Sequence, residues 1–70
     1  MILQDLREKQ RKSRNDLAKE LGYSVHTIRA WERGVRVPQV EVLKPYAKAL
    51  RITLEQLIDA IMTTLKENEK

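Results

Sequence analysis

The side chains best equipped for chemistry in this chain are cations, and they are unevenly placed. Between Met1 and Arg36 the nine bases Arg7, Lys9, Arg11, Lys12, Arg14, Lys19, Arg29, Arg33 and Arg36 face five acids, Asp5, Glu8, Asp16, Glu20 and Glu32. From Val37 to Lys70 the bases Lys44, Lys48, Arg51, Lys66 and Lys70 are balanced by Glu41, Glu55, Asp59, Glu67 and Glu69. All of the net charge of +4 therefore belongs to the first half. Such an excess attracts a polyanion to one side of a domain. Solvated helix faces give similar counts in many small domains, so charge alone leaves both readings open. Covalent chemistry has little to work with: one histidine, His26, no cysteine, and no carboxylates grouped in a recognisable motif. A disulfide framework or cysteine-ligated metal is excluded. Neither an enzymatic activity nor a cofactor or metal is expected.

What would position these cations is written between Ser13 and Gly34, in SRNDLAKELGYSVHTIRAWERG. Ser13 is a helix cap, because its hydroxyl can accept a backbone N–H of the first turn. Asp16, three residues on, has the sign that a helix N-terminus favours. Leu17, Ala18 and Leu21 share a face, and Gly22 follows where a helix can end left-handed. Ser24 caps a second helix that buries Ile28 and Trp31 and ends by Gly34. Two short helices joined by so tight a turn form a helix-turn-helix. With Ile28 and Trp31 inward, the period of about 3.6 residues turns Val25, His26, Arg29 and Arg33 outward.

The pattern SxxxLAxxLGxS from Ser13 to Ser24, then TIxxWERG from Thr27 to Gly34, resembles the helix-turn-helix of the lambda-repressor and Cro-like (Xre-type) DNA-binding family. The resemblance reaches back to Leu6-Arg7 and forward through Pro38, Leu43, Ala47-Lys48-Ala49-Leu50 and Leu54 to Ile58. It implies an all-α, five-helix, lambda-repressor-like domain over residues 1–66. The helix-turn-helix would occupy 14–33, the last helix 54–66, and a polar tail 67–70. The function implied is a sequence-specific, double-stranded DNA-binding transcriptional regulator of repressor type, reading an operator through the major groove as a homodimer. The alternative is a protein-interaction module, antitoxin-like or the partner of another regulator, that uses the C-terminal apolar helix.

The resemblance also distributes roles. At the start of the recognition helix, Ser24, Val25, His26, Thr27, Arg29 and Ala30 fall where relatives meet DNA. Val25 can pack on a thymine methyl or shield the turn beside Tyr23. His26 can donate or accept at a base edge, and Arg29 can reach guanine or a phosphate. Ala30 permits close approach, while Thr27 supports the turn or a phosphate. Arg33 and Arg36 fall where the family contacts the backbone, which positions the domain without reading sequence. Arg14 replaces a glutamine common there and is expected on a phosphate; Arg11 and Lys12 stay open. Arg7 is expected to pair with Glu32, and Trp31 to be core.

The remaining elements frame this segment. Ile2, Leu3 and Leu6 give the first helix its inward face, from Ile2 to about Gln10. Pro38 introduces a fourth helix, about Val40 to Leu50, with Val40, Leu43, Ala47 and Leu50 inward. Pro45 interrupts its pattern, so this helix starts late, near Val42 to Lys44, or bends. Arg51 stands where relatives have glycine, and a left-handed backbone there is strained by about 1 kcal/mol. Thr53 and Gln56 have the spacing of a capping box. Leu54, Leu57, Ile58, Ile61 and Leu65 then make one helical stripe, the first three matching the family core. Ile61, Met62 and Leu65 extend past that core and read as a dimer seam, unless the stripe folds back over the first helix. No apolar run is long enough to span a membrane. The charge at Asp5 leaves no signal peptide visible, so a cytoplasmic location is expected.

Overall fold

The computed structural model describes residues 2–68. Five helices follow one another: α1 (Leu3–Lys9), α2 (Arg14–Leu21), α3 (Val25–Glu32), α4 (Val40–Leu50) and α5 (Leu54–Asn68). No strand occurs among the described residues, and no helix there is long and apolar enough to cross a membrane. The last helix runs two residues beyond the expected end at 66; Glu69 and Lys70 lie outside the described residues.

Local chemistry sets most boundaries. Ser13 Oγ accepts the Asp16 N–H at 3.0 Å, and the Asp16 carboxylate accepts the Ser13 N–H at 3.1 Å, closing a reciprocal cap on α2. The Ser13 backbone N–H, and then its hydroxyl, hold the Asp16 carboxyl below its ordinary value. Gly22 ends α2 with φ 76°, a conformation in which a side chain is strained even though space is open around it. Thr53 and Gln56 cap α5 in the same reciprocal way, at 2.9 and 3.1 Å.

One expectation is settled and two are corrected. First, α4 spans Val40–Leu50 as expected and runs through Pro45, so of the two alternatives that the proline raised the late start near Val42 to Lys44 is excluded. Pro45 is on the exposed side, where water can serve the Glu41 carbonyl that loses its helical donor. Second, α4 buries Val42, Tyr46, Ala47, Ala49 and Leu50, while Val40 is 78% exposed and Leu43 only partly covered. Both stripes have helical spacing; the observed one wins because it brings Tyr46 against Trp31, their rings 5.4 Å apart. Third, Leu54 and Ile58 remain about two-fifths exposed, and only Leu57 of that trio is core.

Arg51 does end α4 left-handed (φ 57°), and Arg11 adopts the same conformation in the α1–α2 connection (φ 58°). Lys12 compensates that turn. Its Nζ donates to Glu20 Oε1 at 2.8 Å and to the Ala49 carbonyl at 2.9 Å, strapping the connection to α2 and to the end of α4.

Tyr46 is fully buried and its hydroxyl has no hydrogen-bond partner among the described residues. Burial pushes its ionisation far above the normal tyrosine range. An unsatisfied buried hydroxyl is destabilising. Tyr46→Phe should therefore leave the denaturant midpoint unchanged or raise stability by up to about 1 kcal/mol; a clear loss would reveal a partner for the hydroxyl.

Candidate nucleic-acid interface

The recognition surface is built on α3. Ser24 caps it: its Oγ accepts the Thr27 N–H at 3.2 Å and lies 3.0 Å from Thr27 Oγ1. Thr27 thus supports the turn, and both hydroxyls are already engaged. Ile28 and Trp31 are buried, with Trp31 between Tyr23 (5.2 Å) and Tyr46 (5.4 Å). That anchorage leaves His26, Arg29 and Arg33 exposed, with Val25, Thr27 and Ala30 half-buried along their edge. Of the four residues that periodicity turned outward, His26, Arg29 and Arg33 are exposed and Val25 is half-buried.

The loop after α3 folds back on it. The Ala30 carbonyl accepts the N–H of Val35 at 3.0 Å and of Arg36 at 3.3 Å. Arg36 is thereby held over the recognition helix instead of trailing away, and Pro38 is buried beneath the turn into α4. Sequence reasoning missed Gln39, the exposed N-cap residue of α4, which shares a groove with Tyr23, Thr27, Trp31, Arg36 and Val37. Its place one residue before a helical run was the available signal.

Ion pairing sorts the bases. Arg7 donates through Nε to Glu32 at 2.6 Å and through Nη2 at 3.3 Å, and its Nη1 reaches the Lys12 carbonyl at 2.8 Å. The Arg7–Glu32 pair is buried and joins α1 to α3, as expected. Lys12 is occupied by its strap. Arg14, expected on a phosphate, also donates from Nε to Glu32 at 3.0 Å. By contrast Arg29, Arg33 and Arg36 have no carboxylate partner among the described residues and are exposed. Lys9, Arg11 and Lys19 of the first half are likewise exposed and outside these ion pairs, but only Arg29, Arg33 and Arg36 lie on α3 and the loop behind it.

The expected dimer seam is not what α5 displays. Ile61 is 7% exposed and belongs to the core, and Leu65 packs partly against it. The stripe folds back over α1, where Leu3 N–H donates to the buried Thr64 Oγ1 at 3.1 Å. Of the three residues only Met62 is open, at 62%. The large apolar side chains that α5 does expose are Leu54, Ile58 and Met62, four residues apart and so on one face.

Among the described residues no group of histidine, aspartate or glutamate side chains could hold a metal ion. No curated protein and no solved structure matches the chain. A family model described as helix-turn-helix matches residues 3–57, from the first residue of α1 to the buried Leu57 of α5. That span contains the capped pair α2–α3, the buried Arg7–Glu32 tie and the exposed arginines, and the family is one of DNA-binding, non-enzymatic domains. The chain belongs to the Xre and lambda-repressor-like helix-turn-helix family of DNA-binding regulators.

Proposed function

We propose that this DNA-binding domain is a sequence-specific transcriptional repressor that grips its operator as a homodimer, each copy laying α3 in a major groove. The observation that carries the reading is the division of α3 into a fixed inner face and an outer face of His26, Arg29 and Arg33, free of internal ion pairs among the described residues. His26 and Arg29 address base edges, with Val25 and Ala30 beside them for thymine methyls and close approach. Arg33, Arg36 and the outer edge of Arg14 hold phosphates, which sets register and affinity. Ser24 and Thr27 keep the start of α3 in place for that reading. Such a protein acts in the cytoplasm, where an occupied operator blocks access by polymerase.

One observation and one symmetry argument support the dimer. The Leu54, Ile58 and Met62 side chains form an apolar stripe that a lone domain leaves in water. The spacing of the stripe also suits a two-fold axis: two α5 helices set antiparallel would place Ile58 opposite Met62 of the second copy and Glu55 near its Lys66. Closed two-fold contacts have this reciprocity. The seam proposed from the structure is therefore Leu54, Ile58 and Met62, with Leu65 at its edge, and Ile61 stays in the monomer core.

Selection from a random duplex library at near-physiological salt tests the reading. An inverted repeat with half-sites about 34–36 Å apart is expected. A single enriched half-site would remove the dimer, and no enrichment would move the weight to a protein partner on the α5 stripe. Within the selected site, His26→Ala or Arg29→Ala should cost about 1–3 kcal/mol at particular bases and relax preference there. Arg36→Ala should weaken all sequences alike and lower the salt slope by about 1. A change confined to base preference in Arg36→Ala would contradict that division of roles.

A further inference from the structure

Two guanidiniums share one buried carboxylate. The Glu32 side chain, 1% exposed, receives Arg7 Nε at 2.6 Å and Arg14 Nε at 3.0 Å. One negative charge faces two positive ones, and the surplus cannot sit with Arg7, whose side chain is 8% exposed. It falls to Arg14, the first residue of α2, whose side chain is one-third exposed. A guanidinium carries further N–H donors on its two Nη atoms, and those of Arg14 have no acceptor among the described residues.

We propose that Glu32 is a positioning residue for DNA phosphate, holding Arg14 by its Nε so that the Nη edge is a preformed phosphate ligand. The inference rests on the DNA-binding reading above and adds to it a specific orienting device. A free arginine must surrender rotamer freedom when it binds, a loss worth roughly two- to tenfold in affinity. Arg14 has given up much of that freedom before DNA arrives, because the buried carboxylate fixes its head. The fork geometry is what allows both contacts at once: one N–H points at the carboxylate while others remain for the phosphate. A lysine supplies a single compact charge, so when it turns to the phosphate it must loosen its hold on Glu32. Charges then alternate from the interior outward, Arg7, Glu32, Arg14, phosphate, which leaves no like pair without an opposite neighbour between them.

The test compares wild type, Arg14→Lys and Arg14→Gln on one duplex selected by the wild-type protein, across a salt series. Thermal unfolding first confirms that each variant is folded. Arg14→Gln should reduce the slope of log affinity against log salt by about 0.9, the signature of one lost phosphate contact. Arg14→Lys should keep the wild-type slope yet bind roughly two- to tenfold more weakly at every salt concentration. In a Glu32→Gln background the gap between arginine and lysine at position 14 should close; if that background does not fold, the Arg14→Lys comparison decides alone. Wild-type affinity in Arg14→Lys, or a wild-type slope in Arg14→Gln, would overturn the proposal while leaving DNA binding intact. Absence of salt-dependent duplex binding by the wild type would instead remove the reading on which it rests.

Discussion

Glu32→Gln is expected to destabilise the domain by about 3–5 kcal/mol, read as a lower denaturant midpoint with little change in slope. The glutamine is nearly isosteric, so the loss is electrostatic rather than one of packing. Arg7 would remain buried with the carboxylate gone, and Arg14 would face it as an uncompensated like charge. A domain of 70 residues has about 4–10 kcal/mol of stability in all, so much of the population would unfold. The two arginines should respond unequally. Arg7→Gln strands Glu32 only in part, because Arg14 still holds it, whereas Arg14→Gln breaks a pair that is one-third exposed and should cost no more than about 1 kcal/mol. Replacing Arg7 and Glu32 together by apolar residues should recover much of the loss, since it removes the desolvated charges as well as their attraction. If Glu32→Gln unfolded at the wild-type midpoint, the buried carboxylate would not be what ties α1 and α2 to α3.

The contrast between that network and the rest of the chain shows what was legible in the sequence. Ser13, Asp16, Gly22, Ser24, Thr53 and Gln56 act within three or four residues of chain, and every one of these caps and turns is found where spacing placed it. The outward face of α3 was equally readable, because Ile28 and Trp31 fix its rotation. Phase failed on α4, where apolar residues at 40, 42, 43, 46, 47, 49 and 50 fit more than one helical stripe. The contact that decides between them, Tyr46 on Trp31, joins residues fifteen apart in the chain, and local periodicity carries no trace of it. The second contact of Arg14 was out of reach for a similar reason. Its substitution for glutamine marked it as an added cation, but only the tertiary structure shows a second guanidinium reaching Glu32. The same holds for α5, whose continuous stripe divides between the core and the surface according to where α1 lies.

That division of α5 carries the second large effect expected, on operator binding rather than on folding. Ile58→Glu should leave the thermal midpoint of the domain nearly unchanged, because the side chain it replaces is already 41% exposed. It should nevertheless weaken binding to the full inverted repeat by about 10²–10⁴-fold and leave affinity for an isolated half-site intact. The reason is that in the proposed dimer two linked domains would bind the second half-site intramolecularly, and a carboxylate placed opposite Met62 of the second copy would remove the link without touching α3. Ile61→Glu supplies the contrast. At 7% exposure Ile61 lies in the monomer core, so a charge there should unfold the domain and abolish half-site and full-site binding together. Sedimentation of the free protein and titration of both duplexes distinguish the cases. Full-site affinity retained in Ile58→Glu would mean that the exposed stripe serves a partner other than a second copy. Loss of both activities by Ile58→Glu would mean that this face supports the fold, and the apparent seam is a part of the core.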